Sequence, residues 1–277
     1  MEVQSHTIRV DGVVTHYLEA GPLSAESFVL IHDGGFGADG WATWSPILPR
    51  LAARYHVFAP DLLGFGKTQK IYDFGQGARS QKIQHIAGWM KAVGIGKTHV
   101  IGNSAGGSIV LFAAMRLEWP ISKAISVGGT GGPFMRGDTY GPLRDYVPDK
   151  QGMRRIVELM LSRRDAMMEE LVEERYRKSL IRGHWENLSA PRLKPPGPGP
   201  REESDNKSFF DGLAKIRVPV LLIAGSDDVL LERGWERQLA SHIGQAKTLL
   251  VEGARHQPHF DAPDAVCDAI ESFLAAC

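Results

Sequence analysis

Short, continuous apolar runs recur along the chain at Phe28–His32 (FVLIH), Tyr55–Pro60, Thr98–Gly102, Ala124–Val127, Val218–Ala224 and Lys247–Val251. Runs without polar alternation are what strands covered on both faces look like. Helical patterns lie between them, for example Gln84–Val93 and Ser108–Leu117. Strand–helix alternation predicts an α/β fold, a mostly parallel central sheet with helices on both faces. The opening segments His6–Val10 and Val13–Leu18, joined at Asp11-Gly12, predict a hairpin.

The alternation stops between Gly132 and Phe210. The stretch MRRIVELMLSRRDAMMEELVEERYRKSL is charged and Met-rich, and predicts two or three amphipathic helices with no strand between them. It leads into LKPPGPGPREES, where the prolines from Pro195 to Pro200 can neither continue a helix nor pair in a central strand. Residues 132–210 are expected to form an inserted helical cap, with the Pro/Gly run as its return linker. Residues 1–131 and 211–277 form the core. A long insertion of this kind is uncommon unless it is functional.

Composition narrows the function classes. The chain has 277 residues, enough to bury a full core without staples. Its 32 basic and 32 acidic residues leave no net charge, so no basic excess points to nucleic acid. The two cysteines, Cys267 and Cys277, cannot make a disulfide framework, and no Cys/His cluster has zinc spacing. No metal and no organic cofactor is expected. The N-terminal stretch MEVQSHTIRVDG lacks the marks of a secretory signal, and no apolar window is long enough to span a membrane. A cytoplasmic protein with a small-molecule substrate is the expectation, without nucleic-acid or membrane partners. A homodimer or higher homo-oligomer stays open.

Candidate chemistry begins at Gly102-Asn103-Ser104-Ala105-Gly106, a G-x-S-x-G match set between a predicted strand and a predicted helix. That setting places a serine on a strained elbow with its oxygen exposed. A serine hydroxyl needs a base to take its proton, and the base needs an acid to orient it. His256 follows the last predicted strand, where a loop opens at the carboxyl edge of a parallel sheet. His259, three residues on, is its one serious rival. The acid should follow the preceding strand, where Asp227 and Asp228 both stand, and Asp228 is preferred. The strand before that runs into VGGTGG, which holds no carboxylate. Two backbone donors are needed for an oxyanion. Ala105, after the serine, supplies one, and the Gly-rich loop His32–Gly37 supplies the other at Gly34.

With these residues in place, the chain resembles the α/β-hydrolase superfamily over its whole length. It is most similar to the meta-cleavage product hydrolases, which cut a C–C bond in ring-opened vinylogous diketones during aromatic degradation. The resembling stretches include VDGVVTHYLEAG, Ile31–Gly37, Trp41–Leu51, APDLLGFGKT, GNSAGG, Met153–Tyr176 and Val218–Asp228. The resemblance implies an α/β-hydrolase fold, with Ser104 as nucleophile, Asp228 as acid, His256 as base, and Gly34 and Ala105 as the oxyanion hole. It also implies substrate contacts at Arg175, Asn103, Gly35, Thr43 and Gln257. Arg175 falls on a cap arginine that grips the substrate's carboxylate and dienol end, a task suited to a planar fork of donors. Read from its own surroundings, ELVEERYRK, the same arginine belongs equally to a solvated helix face.

Five positions depart from the family pattern. Asp33 stands where a glycine follows the histidine of the oxyanion loop, and Thr43 where the family usually carries asparagine. Gln257 replaces the tryptophan after the catalytic histidine, and Ala254-Arg255-His256 replaces Cys-Gly-His. The catalytic set is kept while the residues facing substrate have changed. The leading expectation is therefore a cofactor-independent serine hydrolase acting on a C–C bond beside a ketone in a vinylogous diketone or dienol carboxylate. An esterase or lactonase with the same triad is the second. A non-catalytic binder is disfavoured by the intact Ser104, Asp228 and His256.

Overall fold

The computed structural model describes residues 2–132, 134–193 and 206–276, with side chains of 206–208 left aside. The Pro/Gly linker and Cys277 lie outside the described residues. Strands β1 (Gln4–Val10) and β2 (Val13–Ala20) pair antiparallel with Val10 opposite Val13. The turn between them is tight because Asp11 and Gly12 both take positive φ, 49° and 85°, the primed geometry that matches strand twist. The remaining strands are β3 (Ser27–Ile31), β4 (His56–Pro60), β5 (Thr98–Asn103), β6 (Ile121–Val127), β7 (Val220–Gly225) and β8 (Ala246–Val251). All eight make one sheet in the order β1-β2-β4-β3-β5-β6-β7-β8. From β4 to β8 the neighbours are parallel.

The apolar runs are continuous because both sheet faces are buried. In β3, Phe28 and Leu30 join one core cluster while Val29 and Ile31 join the cluster on the opposite face. In β7, Leu221 and Ile223 go one way and Leu222 and Ala224 the other. This is the two-residue period of a strand, hidden from the sequence because both phases are apolar. Strand order reverses between β3 and β5, the one place where two parallel neighbours send their following loops apart and leave a crevice at the carboxyl edge.

Between β6 and β7 the described residues hold helices and no strand of the main sheet. The helices are more broken than the charged stretch predicts. They run over Gly141–Arg144, Lys150–Met160, Ala166–Ser179, His184–Ser189 and Asn206–Leu213, with a 3-10 turn at Ala190–Arg192. Asp149 and Asp165 cap two of them through their side chains, accepting from the amides of Gly152 and Met168. Met153, Ile156, Val157, Leu171 and Val172 form a third cluster that also takes in Phe36 and Phe260 of the sheet's loops. One isolated bridge, Met135 to Leu231, ties the start of this segment to the loop after β7.

The helix expected from Gln84 spans Ala78–Val93, and the helix expected from Ser108 spans Ala105–Arg116. Among the described residues no helix is long and apolar enough to cross a membrane.

Candidate active site

Ser104 sits between β5 and the helix Ala105–Arg116 with φ 53° and ψ −117°. A non-glycine residue at positive φ is strained, and such strain persists only where surrounding structure enforces it. The two flanking glycines supply the enforcement. A Cβ on Gly102 would stand 2.2 Å from the Gly106 carbonyl oxygen, and one on Gly106 2.3 Å from that of Ile31. Only bare backbone lets strand, turn and helix approach so closely.

The elbow brings together residues from three strand ends. Ser104 Oγ and His256 Nε2 are 2.8 Å apart, and His256 Nδ1 lies 2.8 Å from Asp228 Oδ2. Asp228 Oδ1 accepts from the amide of Leu230 at 2.8 Å, which fixes the carboxylate's orientation. Asp227 is exposed and, among the described residues, its side chain accepts only from the neighbouring Ser226 hydroxyl at 3.1 Å. His259 faces elsewhere: its Nε2 donates to the Thr43 carbonyl at 2.9 Å, and burial pushes its pKa down to about 3. Burial also opposes the charged form of His256. The charge of Asp228 and its hydrogen bond, with Asp33 adding at longer range, outweigh that and hold its pKa above the ordinary imidazole value. This arrangement can take a proton from the Ser104 hydroxyl and keep the resulting imidazolium stable.

Gly34 and Ala105 meet across the crevice. A Cβ on Gly34 would come within 2.8 Å of the Ala105 Cβ, and both residues border the cavity in front of Ser104. Ala105 opens its helix, so its amide belongs to the set that helices leave without an internal acceptor. Behind the loop His32 is fully buried, its pKa lowered by burial. Its Nδ1 donates to the Asp33 carbonyl at 2.6 Å and its Nε2 accepts from the Leu62 amide at 2.8 Å. Both ring nitrogens are thus engaged in bracing the loop.

The cavity has a volume of about 540 Å³. Ser104, His256, Gly34 and Gly35 make its floor, and Tyr140, Leu143, Met160 and Leu188 of the helical segment face them. Burial, with Asp228 nearby, pushes the Tyr140 phenol up to about 12. Tyr140 carries no sequence signal, lying in a stretch that matches no motif. The helical segment also grips the loop of His256: Arg255 donates to the Glu158 carbonyl, and the Gln257 amide to that of Met160 at 3.0 Å.

Four of the five expected substrate contacts are not on the cavity wall. Arg175, Asn103, Thr43 and Gln257 are fully buried behind it, and only Gly35 borders the cavity. Arg175 is neither a solvated face charge nor a cation waiting for ligand. It forms an ion pair with Asp33 Oδ2, with both side chains almost wholly buried. That same oxygen accepts from Thr43 Oγ1 at 2.9 Å and Gln257 Nε2 at 3.2 Å, and Oδ1 accepts from the Gly35 amide at 2.8 Å. Burial pushes the Asp33 carboxyl up, but Arg175 beside it, with His32 and the Gly35 amide, holds it below the ordinary range. Gln257 Nε2 also donates to Asn103 Oδ1 at 3.0 Å, and Asn103 donates to the Val127 and His256 carbonyls at 3.0 and 3.4 Å. Three departures from the family pattern, Asp33, Thr43 and Gln257, are therefore parts of one network. Among the described residues no group of three or more His, Cys, Asp or Glu side chains could hold a metal ion.

A model of the alpha/beta hydrolase family matches residues 28–269. A 2-hydroxy-6-oxononadienedioate/2-hydroxy-6-oxononatrienedioate hydrolase of Burkholderia vietnamiensis is 32% identical over 225 residues, covering 77% of this chain and 74% of the relative. A 2-hydroxy-6-oxo-2,4-heptadienoate hydrolase of Pseudomonas putida is 26% identical over 265 residues, covering 96% and 94%. The solved 2-hydroxy-6-oxo-6-phenylhexa-2,4-dienoate hydrolase of a Rhodococcus strain superposes with a TM-score of 0.85 over 99% of both chains, at 23% identity.

Proposed function

Because this chain belongs to the α/β-hydrolase family, we propose that it is a cofactor-independent serine hydrolase that cleaves a C–C bond beside a ketone. The observation that carries the chemistry is the unbroken hydrogen-bonded line from Ser104 through His256 to Asp228, with Ser104 and His256 bordering the cavity. The bond class is supported by relatives named as hydrolases of 2-hydroxy-6-oxo-dienoates. The segment between β6 and β7 serves as the cap over the site.

In this reading His256 Nε2 takes the proton of Ser104 as Oγ adds to the ketone carbon. The amides of Gly34 and Ala105 receive the charge that develops on the ketone oxygen. The C–C bond then breaks, its electron pair passing to the departing carbon, which takes up the proton His256 gained from Ser104 and so returns the ring to its neutral form. A carbon is a far poorer leaving group than an alkoxide, so the reaction is restricted to substrates whose departing carbon is stabilised by a conjugated carbonyl. Water, giving its proton to His256, hydrolyses the serine ester and releases a carboxylic acid. The setting that fits is a cytoplasmic enzyme acting on a small molecule.

One observation favours a second reading, hydrolysis of an ester or lactone. The buried cation that could hold a dienol carboxylate, Arg175, is already paired with Asp33. An ester needs no such cation. A fluorophosphonate probe should label the protein and fail with Ser104→Ala. A screen of ring-fission products beside aryl esters and lactones separates the bonds. Turnover of esters alone, with every ring-fission product untouched, leaves only the second reading standing.

A further inference from the structure

We propose that Asp33 is a specificity-determining residue: a carboxylate built into the pocket wall, which selects substrates presenting an uncharged group to that wall. The proposal rests on the reading of Ser104 as the reacting nucleophile.

Asp33 borders the cavity together with Gly34 and Gly35, directly beside the oxyanion loop, whereas Arg175 lies behind it with no exposed surface. Arg175 Nη2 is paired with Asp33 and Nη1 donates weakly to the Phe36 carbonyl at 3.4 Å, while its buried Nε has no hydrogen-bond partner among the described residues. A substrate carboxylate reaching this wall therefore meets a cation whose charge Asp33 already balances. Displacing Asp33 from Arg175 would leave a fully buried acid without its partner, and would also strip it of Thr43 and Gln257. Adding a second acid beside the intact, neutral pair takes its charge out of water with no net cation to repay the desolvation. Neither route is favourable. The wall is a neutral, pre-satisfied ion pair.

The geometry also explains why the changes come together. A carboxylate at position 33 needs donors in that enclosed space. Thr43 and Gln257 are the two neutral donors that reach it, alongside Arg175 and the Gly35 amide. The cationic residues that do border the cavity, Arg79, Lys82, Arg144 and Arg192, belong to the helices Ala78–Val93 and Gly141–Arg144 and the turn Ala190–Arg192, not to the loop that carries Asp33. The selection is thus local: it concerns the group placed beside the oxyanion loop.

The test compares matched pairs differing in one charge. A ring-fission dienol carboxylate is set against its carboxamide, and 4-carboxyphenyl acetate against 4-carbamoylphenyl acetate. kcat/KM is measured for the native enzyme, Asp33→Asn and Asp33→Gly, so that intrinsic reactivity cancels in each ratio. The native enzyme should prefer the neutral member by at least about 10-fold, and Asp33→Asn should shrink that preference by at least about 10-fold. A native preference for the carboxylate, or a ratio unchanged within about twofold in a folded Asp33→Asn protein, overturns the proposal. Should no dienol react while the ester pair shows the shift, the C–C reading fails and this one stands. Calorimetric titration with sodium benzoate gives the same comparison without turnover: Ser104→Ala should bind it at least about 10-fold more weakly than Ser104→Ala/Asp33→Asn. Equal affinity of the two overturns the proposal, as does tighter binding by the singly changed protein.

Discussion

Asp33 and Arg175 stand 142 positions apart in the chain and meet as a buried ion pair behind the oxyanion loop. One comes from the loop after β3 and the other from the helix Ala166–Ser179. The pair is thus a tether between sheet and helical segment as well as part of the pocket's electrostatics. Breaking a buried pair by removing one partner typically costs about 3–5 kcal/mol, because the other charge stays buried alone. Arg175→Met should destabilise the protein by about that much in urea unfolding, and depress turnover of esters and ring-fission products together. Asp33→Asn/Arg175→Met should recover a large part of the loss. A selective loss of ring-fission turnover in a fully stable Arg175→Met protein would show instead that the arginine contacts substrate.

Acid should reveal the same pair. The Asp33 carboxyl is held below its ordinary range in the folded protein, so its ionisation stabilises the fold above about pH 4, where the unfolded carboxyl is also charged. That contribution is lost as pH falls through the lower folded value. Unfolding free energy plotted against pH should therefore drop more steeply on the acid side for the native protein than for Asp33→Asn. Parallel curves would deny Asp33 its depressed pKa.

The relay predicts an order of damage. Ser104→Ala should lower kcat by on the order of 10⁴ or more. Asp228→Asn should be severe but milder, since it spoils the tautomer and orientation of His256 while leaving Ser104 in place. Asp227→Asn should change little, because that side chain is exposed and, among the described residues, bonds only to Ser226. Greater damage from Asp227→Asn in steady-state kinetics would reassign the acid.

Activity should fail on the acid side through His256. Its pKa is raised in the folded enzyme, and only the neutral ring can accept the serine proton. kcat/KM should accordingly fall as pH drops through a value above the ordinary 6.5 or so. In Asp228→Asn the residual activity should persist to lower pH, since the largest influence raising that pKa is gone. An acid limb that does not move would mean another group controls it.

The elbow stores strain that function needs and folding does not. Ser104→Gly removes the Cβ responsible, so the inactive variant should be more stable by about 1 kcal/mol. A midpoint of urea unfolding equal to or below that of the native protein contradicts this.

Much of the fold was legible because its strands are short apolar blocks set off by glycine and polar turns. The primed turn at Asp11-Gly12 could be read directly, and so could the serine's strand–turn–helix setting. Element ends were harder. Ala105-Gly106-Gly107 reads poorly as helix, yet the helix begins there because close approach to Gly102 and Ile31 demands small residues. The helical segment is cut finer than its charge pattern suggests, at Asp149 and Asp165, whose capping role shows only once the chain leaves helical geometry before them. Arg175 shows the deeper limit. Its neighbours in sequence, Glu174 and Tyr176, are half-buried within a charged stretch, and nothing local says that its partner is an aspartate in the loop after β3.

The small bridge between Met135 and Leu231 bears on how this architecture can be rearranged. Around it, the Arg136 amide donates to the Leu230 carbonyl at 2.9 Å and the Glu232 amide to that of Phe134 at 2.8 Å, while the Leu230 amide in turn donates to Asp228. The segment leaving β6 is thereby sewn to the stretch that carries the relay's acid. On the other side, Arg255 and Gln257 fasten the histidine's loop to the same segment. The helical segment is therefore not an interchangeable module. Transplanting it onto a related core would require residues 229–232 and 255–257 to travel with it, or the donor's pocket would arrive without the hydrogen bonds that align Asp228 and His256 with Ser104.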